Sequence, residues 1–146
     1  MLACGAQSAS ITVTMRYVIA LLALAGLAVS ALALRVHYST DTQPCSINEK
    51  WDCGIVNHSQ FSEIAHVPVA AIGMVGYLVL AGLALMRRRT SLAVLAVLAL
   101  GFSLYHTHIE KAVLEVYCLY CVISLGIIAL LTLLSLGWAF TASRRT

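Results

Sequence analysis

The sequence predicts an all-α integral membrane protein, a four-helix bundle with an outer-side loop that contains a short amphipathic helix. Two observations predict it. Of the 146 residues, 61% are hydrophobic and only 10% are charged, which leaves too little polar surface to coat a water-soluble globule of this size. The apolar residues also gather into four long uncharged runs, 17–34, 67–86, 90–109 and 116–143, each long enough to cross ~30 Å of hydrocarbon as a helix. Lipid offers backbone groups no hydrogen-bond partners, and the runs show no strand-like alternation, so helices and not a barrel are expected. Residues 15–146 read as one domain of four transmembrane helices. Residues 1–14 have no clear pattern and read as a leader or a mis-assigned start, with Met15-Arg16 the more natural beginning.

The first run follows Arg16 and ends in Ala-Leu-Ala, which fits a secretory signal peptide. Its apolar stretch exceeds the ~7 to 15 residues of a signal core and meets Arg35 directly, so it reads as a retained first helix. Basic residues set the orientation. Arg16, Arg87 to Arg89 and Arg144-Arg145 belong on the cytosolic side, six in all, against Arg35, Lys50 and Lys111 on the other. The net charge of +3 is therefore orientation bias, and no basic stripe with interleaved aromatics suggests nucleic acid.

The outer segment 35–66 is the one long polar stretch, and such an excursion often carries function. Asp41, Thr42, Gln43 and Pro44 are turn formers that lead into Cys45. Residues 56–65, with apolar Val56, Phe61, Ile64 and Ala65, predict a short amphipathic helix resting on the bundle as a lid. Pro68 then opens the second span, where a first-turn proline is tolerated. Within that span Gly73, Gly76 and Gly82 allow close helix packing.

The chemistry resides in the cysteines. Cys45 and Cys53 stand eight apart in the outer loop, and Cys118 and Cys121 form a Cys-x-x-Cys at the head of the fourth run. All four map to the outer side, where disulfides form and persist. Three apart near a helix start, Cys118 and Cys121 share a face at a separation compatible with a disulfide. The helix dipole there favours a thiolate, the form that attacks disulfides, with Lys111 and His108 assisting and Glu115 opposing. The loop pair can bridge to itself or let Cys53 swing toward the helix pair through a mixed disulfide. This spacing suits a membrane enzyme that relays electrons between protein thiols and a lipid-soluble acceptor.

Blander readings compete with the relay. The loop pair can be a structural staple and the helix pair inert buried thiols, as in a non-catalytic membrane scaffold. A Cys4 zinc site is disfavoured by the seven-residue gap in the first pair, and covalent haem by Val122 where a histidine is required. His106 and His108 lie at the outer end of the third span and His37, His58 and His66 around the outer loop, and the second and fourth runs contain no histidine for a bis-histidine haem. Cys4 is left without a role. No metal is expected.

A loop Cys-x7-Cys, Ser59 six residues beyond it, four apolar runs and a Cys-x-x-Cys heading the last together resemble the vitamin K epoxide reductase family over residues 15–138. The resemblance implies a bacterial-type member, in the inner membrane with its cysteines facing the periplasm or exterior. It implies that Cys45 and Cys53 are the shuttle pair, that Cys53 links transiently to Cys118, and that Cys121 faces the quinone, ubiquinone or menaquinone. Ser59 matches the family's loop hydroxyl near that site. A separate thioredoxin-fold redox protein on the outer side is the implied partner. Val69 and Leu125 depart from the animal enzymes, which have asparagine and tyrosine there, so vitamin K epoxide is not the substrate these positions favour. Four-helix disulfide oxidases also pair loop cysteines with quinone, but their Cys-x-x-Cys lies in the first outer loop. Direction stays open between thiol oxidation and reductive use of a quinone or its epoxide, because ~30 mV already corresponds to ~1.4 kcal/mol. A carbonyl of the quinone would take a hydrogen bond from Ser59, or else from His66 or Tyr120.

Overall fold

The computed structural model describes residues 2–40 and 45–143. Asp41 to Pro44 and Arg144-Arg145, expected respectively as a turn and as a cytosolic anchor, lie outside the described residues, as does the Cys4 side chain. The chain is mostly helical. Helix α1 runs over Leu2–Tyr38, α2 over Cys53–Asn57, α3 over Val69–Leu85, α4 over Arg89–Ile109 and α5 over Leu119–Ser143. Between α2 and α3 lies a hairpin of β1 (Glu63–Ile64) and β2 (Val67–Pro68), and a π-helical turn, Glu110–Leu114, continues α4.

Three stretches, Thr12–Tyr38, Arg89–Leu114 and Leu119–Thr141, are long and apolar enough to cross a membrane, and α3 is a shorter apolar helix. Helix α1 packs along α3 and α5, and α4 packs along α5. Alanines make this close approach possible: Ala20, Ala23, Ala81, Ala84, Ala93 and Ala96 are all buried between helices. Larger side chains, among them Ile19, Leu80, Leu92 and Leu131, fill the remaining space. Thr132 bonds to the Ile128 carbonyl of its own helix at 2.7 Å and reaches the Ala96 carbonyl of α4 at 3.1 Å, so its hydroxyl is satisfied without water. The outward faces are apolar too. Leu21, Leu98 and Leu133 are 66%, 65% and 69% exposed, a surface stable only against lipid.

Helix ends follow local chemistry. Arg87, at φ 58°, ends α3 in the left-handed region, with Arg88 N–H donating to the Leu83 carbonyl and Arg87 N–H to Ala84, a Schellman arrangement that frees the chain for α4. The outer loop differs from the predicted helix over 56–65. Its helix is α2, five residues ending at Asn57. Beyond it, the Ser59 hydroxyl donates to the Val56 carbonyl and the Ser62 hydroxyl to Ser59, so serine side chains compete with helix continuation. Ala65 and His66, at φ 52° and 65°, then form the two-residue turn of the β1–β2 hairpin.

Candidate active site

A backbone clamp brings the two halves of the site together. Trp51 forms a parallel bridge with Tyr117: Asp52 N–H donates to the Tyr117 carbonyl at 3.1 Å, and Tyr117 N–H donates to Lys50 at 2.8 Å. Their rings meet at 5.5 Å between centroids. Before the clamp, Ile47 N–H donates to the Trp51 carbonyl, closing a turn that returns Cys45 toward Cys53. After it, Asp52 caps α2, its Oδ1 accepting Gly54 N–H at 2.7 Å, Ile55 N–H at 3.2 Å and the Ser46 hydroxyl at 2.9 Å. Cys53 therefore begins a helix whose start is fixed on both sides.

Cys45 and Cys53 are joined as a disulfide, with Cα atoms 5.5 Å apart, and Cys118 and Cys121 are free thiols. Cys118 Sγ lies 3.1 Å from Cys53 Sγ. The sulfurs of Cys45, Cys53 and Cys118 fall within 4.8 Å of one another. Cys118 stands immediately before α5, its carbonyl accepting the Val122 N–H, whereas Cys121 lies in the first turn. Val36, Val56 and the cysteines form a small apolar core of their own, so these sulfurs are shielded from water. Asn57 completes it, with its amide nitrogen donating to the Cys53 carbonyl at 2.8 Å and lying 3.5 Å from Cys118 Sγ. A hydrogen bond from Cys121, seconded by Asn57, holds the Cys118 thiol below its ordinary value, against burial and the Glu110 charge, which push it up.

On the far side of Cys121 opens a cavity of about 300 Å³ between α1, α3, α4 and α5. Its wall is largely apolar, interrupted by Asn57, Tyr77, His106, Tyr120, the Cys121 thiol and the hydroxyl side chains of Ser30, Ser62, Ser103, Thr107 and Ser124. Tyr77 is held in place by the Ser124 hydroxyl at 2.8 Å and the Ser124 carbonyl at 3.0 Å. Its ring lies against Gly26, where any Cβ would overlap it. The geometry thus gives the two helix cysteines different neighbours: Cys118 meets the loop disulfide, and Cys121 meets the cavity.

The sequence profile of the Vitamin K epoxide reductase family matches residues 17–136. The chain belongs to this family. Among curated proteins no match was found. Members of the vitamin K epoxide reductase family are membrane oxidoreductases that generally work with quinone-type electron carriers and thioredoxin-like partners, and this chain is an integral membrane protein.

For this family member, the structure draws Cys45, Cys53, Cys118 and Cys121 into one cluster, and it places Ser59 elsewhere. The Ser59 hydroxyl donates to the Val56 carbonyl at 2.8 Å, outside the cavity lining. His66 is exposed in the hairpin turn, while Tyr120 does line the cavity. Asn57, Tyr77 and Glu110 escape the sequence reading. Glu110 alone had a signal, as an acidic residue directly after an apolar run.

Proposed function

We propose that the protein is a membrane thiol:quinone oxidoreductase that passes electrons from a reduced thioredoxin-fold partner, through Cys45/Cys53 and then Cys118/Cys121, to ubiquinone or menaquinone, and so supports disulfide bond formation. One observation carries the reading. A loop disulfide abuts a free Cys118 at 3.1 Å while its neighbour Cys121 faces an apolar cavity. In this reading α3, at 17 residues, crosses as the fourth span, which fits the lower end of the range for hydrocarbon-spanning helices, roughly 17 to 25. The loop and its cysteines face the periplasm or exterior, and residues 15–146 act as one domain.

The cavity's size and apolar wall suit a quinone head and the start of its tail. Asn57, His106 and Tyr120 are among the polar side chains of the wall that would orient it, and Val69 adds an apolar surface where an epoxide oxygen would gain no partner. A bound quinone supplies an acceptor for two electrons and two protons. The protein's own part is thiol exchange. A partner thiolate opens the loop disulfide and stays bonded to Cys45 until the partner's second thiol displaces Cys45; the loop thiolate of Cys53 attacks Cys118 while that residue is bridged to Cys121, and Cys45 then closes back on Cys53, releasing Cys118 as a thiolate. The pairing described here, with the loop oxidised and the helix pair reduced, is the state that such a transfer reaches. Because Cys118 is held toward its thiolate, it is also a good leaving group when Cys45 closes the loop.

The test is quinone absorbance during turnover with a reduced thioredoxin-fold substrate, comparing wild type with Cys121→Ala. Activity that disappears in the variant supports the relay. If wild type reduces neither quinone while thiol trapping finds both pairs inert, a static scaffold replaces it.

A further inference from the structure

Glu110 has no part in the relay above, yet it is 0% exposed, the only fully buried acid among the described residues. The π-helical turn that follows α4 starts at Glu110, and such turns recur at functional sites. One carboxylate oxygen accepts the Cys118 N–H at 3.1 Å, which sets the carboxylate at the head of α5 beside the Cys118–Cys121 pair. Its second oxygen, Oε1, is buried without a partner. The one ion pair among the described residues is His37 with Glu63, so no basic side chain there compensates Glu110. Holding one backbone N–H does not need an acid: a neutral amide would do it without burying a charge. A group that takes up and releases a proton beside two thiols has a use that an amide lacks.

We propose that Glu110 is the proton carrier of the Cys118–Cys121 pair; the proposal rests on the thiol-relay reading. When the Cys53 thiolate attacks Cys118, the Cys53–Cys118 bond forms and the Cys118–Cys121 bond breaks. Cys53 is oxidised, Cys121 is reduced, and the carboxyl proton of Glu110 moves to Cys121 Sγ, leaving a carboxylate. Protons lost by the loop thiols go to water at the outer face. Cys45 then displaces Cys118 as a thiolate. In the closing half, the Cys121 proton returns to the Glu110 carboxylate as the Cys118–Cys121 bond re-forms, and two electrons pass to the quinone, whose two protons come from water. Carboxyl and carboxylate are regenerated once per cycle, and every bond and proton is accounted for.

The experiment uses the full chain in detergent and follows two rates against pH: transfer from loop to helix pair by rapid acid quench and thiol trapping without quinone, and quinone reduction at steady state. Glu110→Gln keeps an oxygen for the Cys118 N–H but cannot carry a proton. It should transfer about 100-fold more slowly, with its pH dependence flattened, while Glu110→Asp keeps a titrating group and recovers part of the rate. Glu110→Gln with wild-type rates and pH profile overturns the proposal, as does an equal loss in both variants with an unchanged profile, which marks a purely structural contact. If Glu110→Gln does not fold, wild-type transfer in heavy water decides: slowing supports the proton carrier, and equal rates reject it. Wild type that transfers between pairs but never reduces quinone counts against the oxidoreductase reading, and the transfer rates still judge Glu110.

Discussion

Replacing Cys45 and Cys121 together by alanine leaves one thiol on each side of the 3.1 Å contact, Cys53 and Cys118. Closing to a bond of ~2.05 Å needs a movement of about 1 Å, within reach of side-chain rotation. The double variant should therefore oxidise spontaneously to a Cys53–Cys118 bridge. Its energetics differ measurably from the wild-type loop bridge. The wild-type disulfide spans a separation of 8 residues and the new one 65. In the chain-entropy description these closures stabilise by about 2.5 and about 4.3 kcal/mol respectively, so oxidation should stabilise the variant more than the wild-type loop, by about 1.8 kcal/mol. Non-reducing electrophoresis and intact mass detect the bridge, and unfolding with and without reductant gives the difference. Two thiols that stay alkylatable in denaturant after oxidant treatment would refute the placement of Cys53 against Cys118.

Three further outcomes are expected. Gly26→Ala forces the Tyr77 ring from its place against α1, with overpacking of about 1 to 3 kcal/mol and loss of the Ser124 hydrogen bond, so thermal stability and quinone reduction should fall together; wild-type stability would contradict the close contact. Asp52→Ala removes the α2 cap and should cost about 1 to 2 kcal/mol and slow loop-to-helix transfer, whereas Asp52→Asn, which keeps an accepting oxygen, recovers most of both. The Cys118 thiol, held low by Cys121, should ionise at lower pH than an ordinary thiol, and Cys121→Ala should move it back up, as read from thiolate absorbance. The sign for stability follows: the folded state holds fewer protons between the two values, so this contribution is complete above the ordinary thiol range and disappears as pH falls through the folded value. A Cys118 titration unchanged by Cys121→Ala would remove the assigned cause.

Much of the architecture is readable in the residues. Long uncharged runs at 17–34, 90–109 and 116–143 become the helices α1, α4 and α5, because in lipid an apolar run of that length has few other ways to satisfy its backbone. The outer loop is less readable. Residues 56–65 have a helix-like apolar spacing, but Ser59 and Ser62 turn their hydroxyls onto nearby carbonyls, and Ala65 and His66 adopt positive φ without the glycine that would have signalled a turn. Ser59 shows the same limit from the other side: its distance from Cys53 is fixed by sequence, but the direction of its hydroxyl depends on where α2 stops.

The sequence by itself determined that this is a membrane helical protein with two cysteine pairs on one side, since length, hydropathy and spacing are local properties. Only the tertiary structure decided that Cys53 faces Cys118 and Cys121 faces the cavity. It also decided that a buried Glu110 stands beside both helix thiols. Those contacts depend on the Trp51–Tyr117 clamp, the Asp52 cap and the π-helical turn, which join residues far apart in the chain or shift the phase of a helix by a fraction of a turn. A hydrophobic pattern does not encode a shift that small, whereas thiol exchange depends on it, because sulfurs react only when they come into contact.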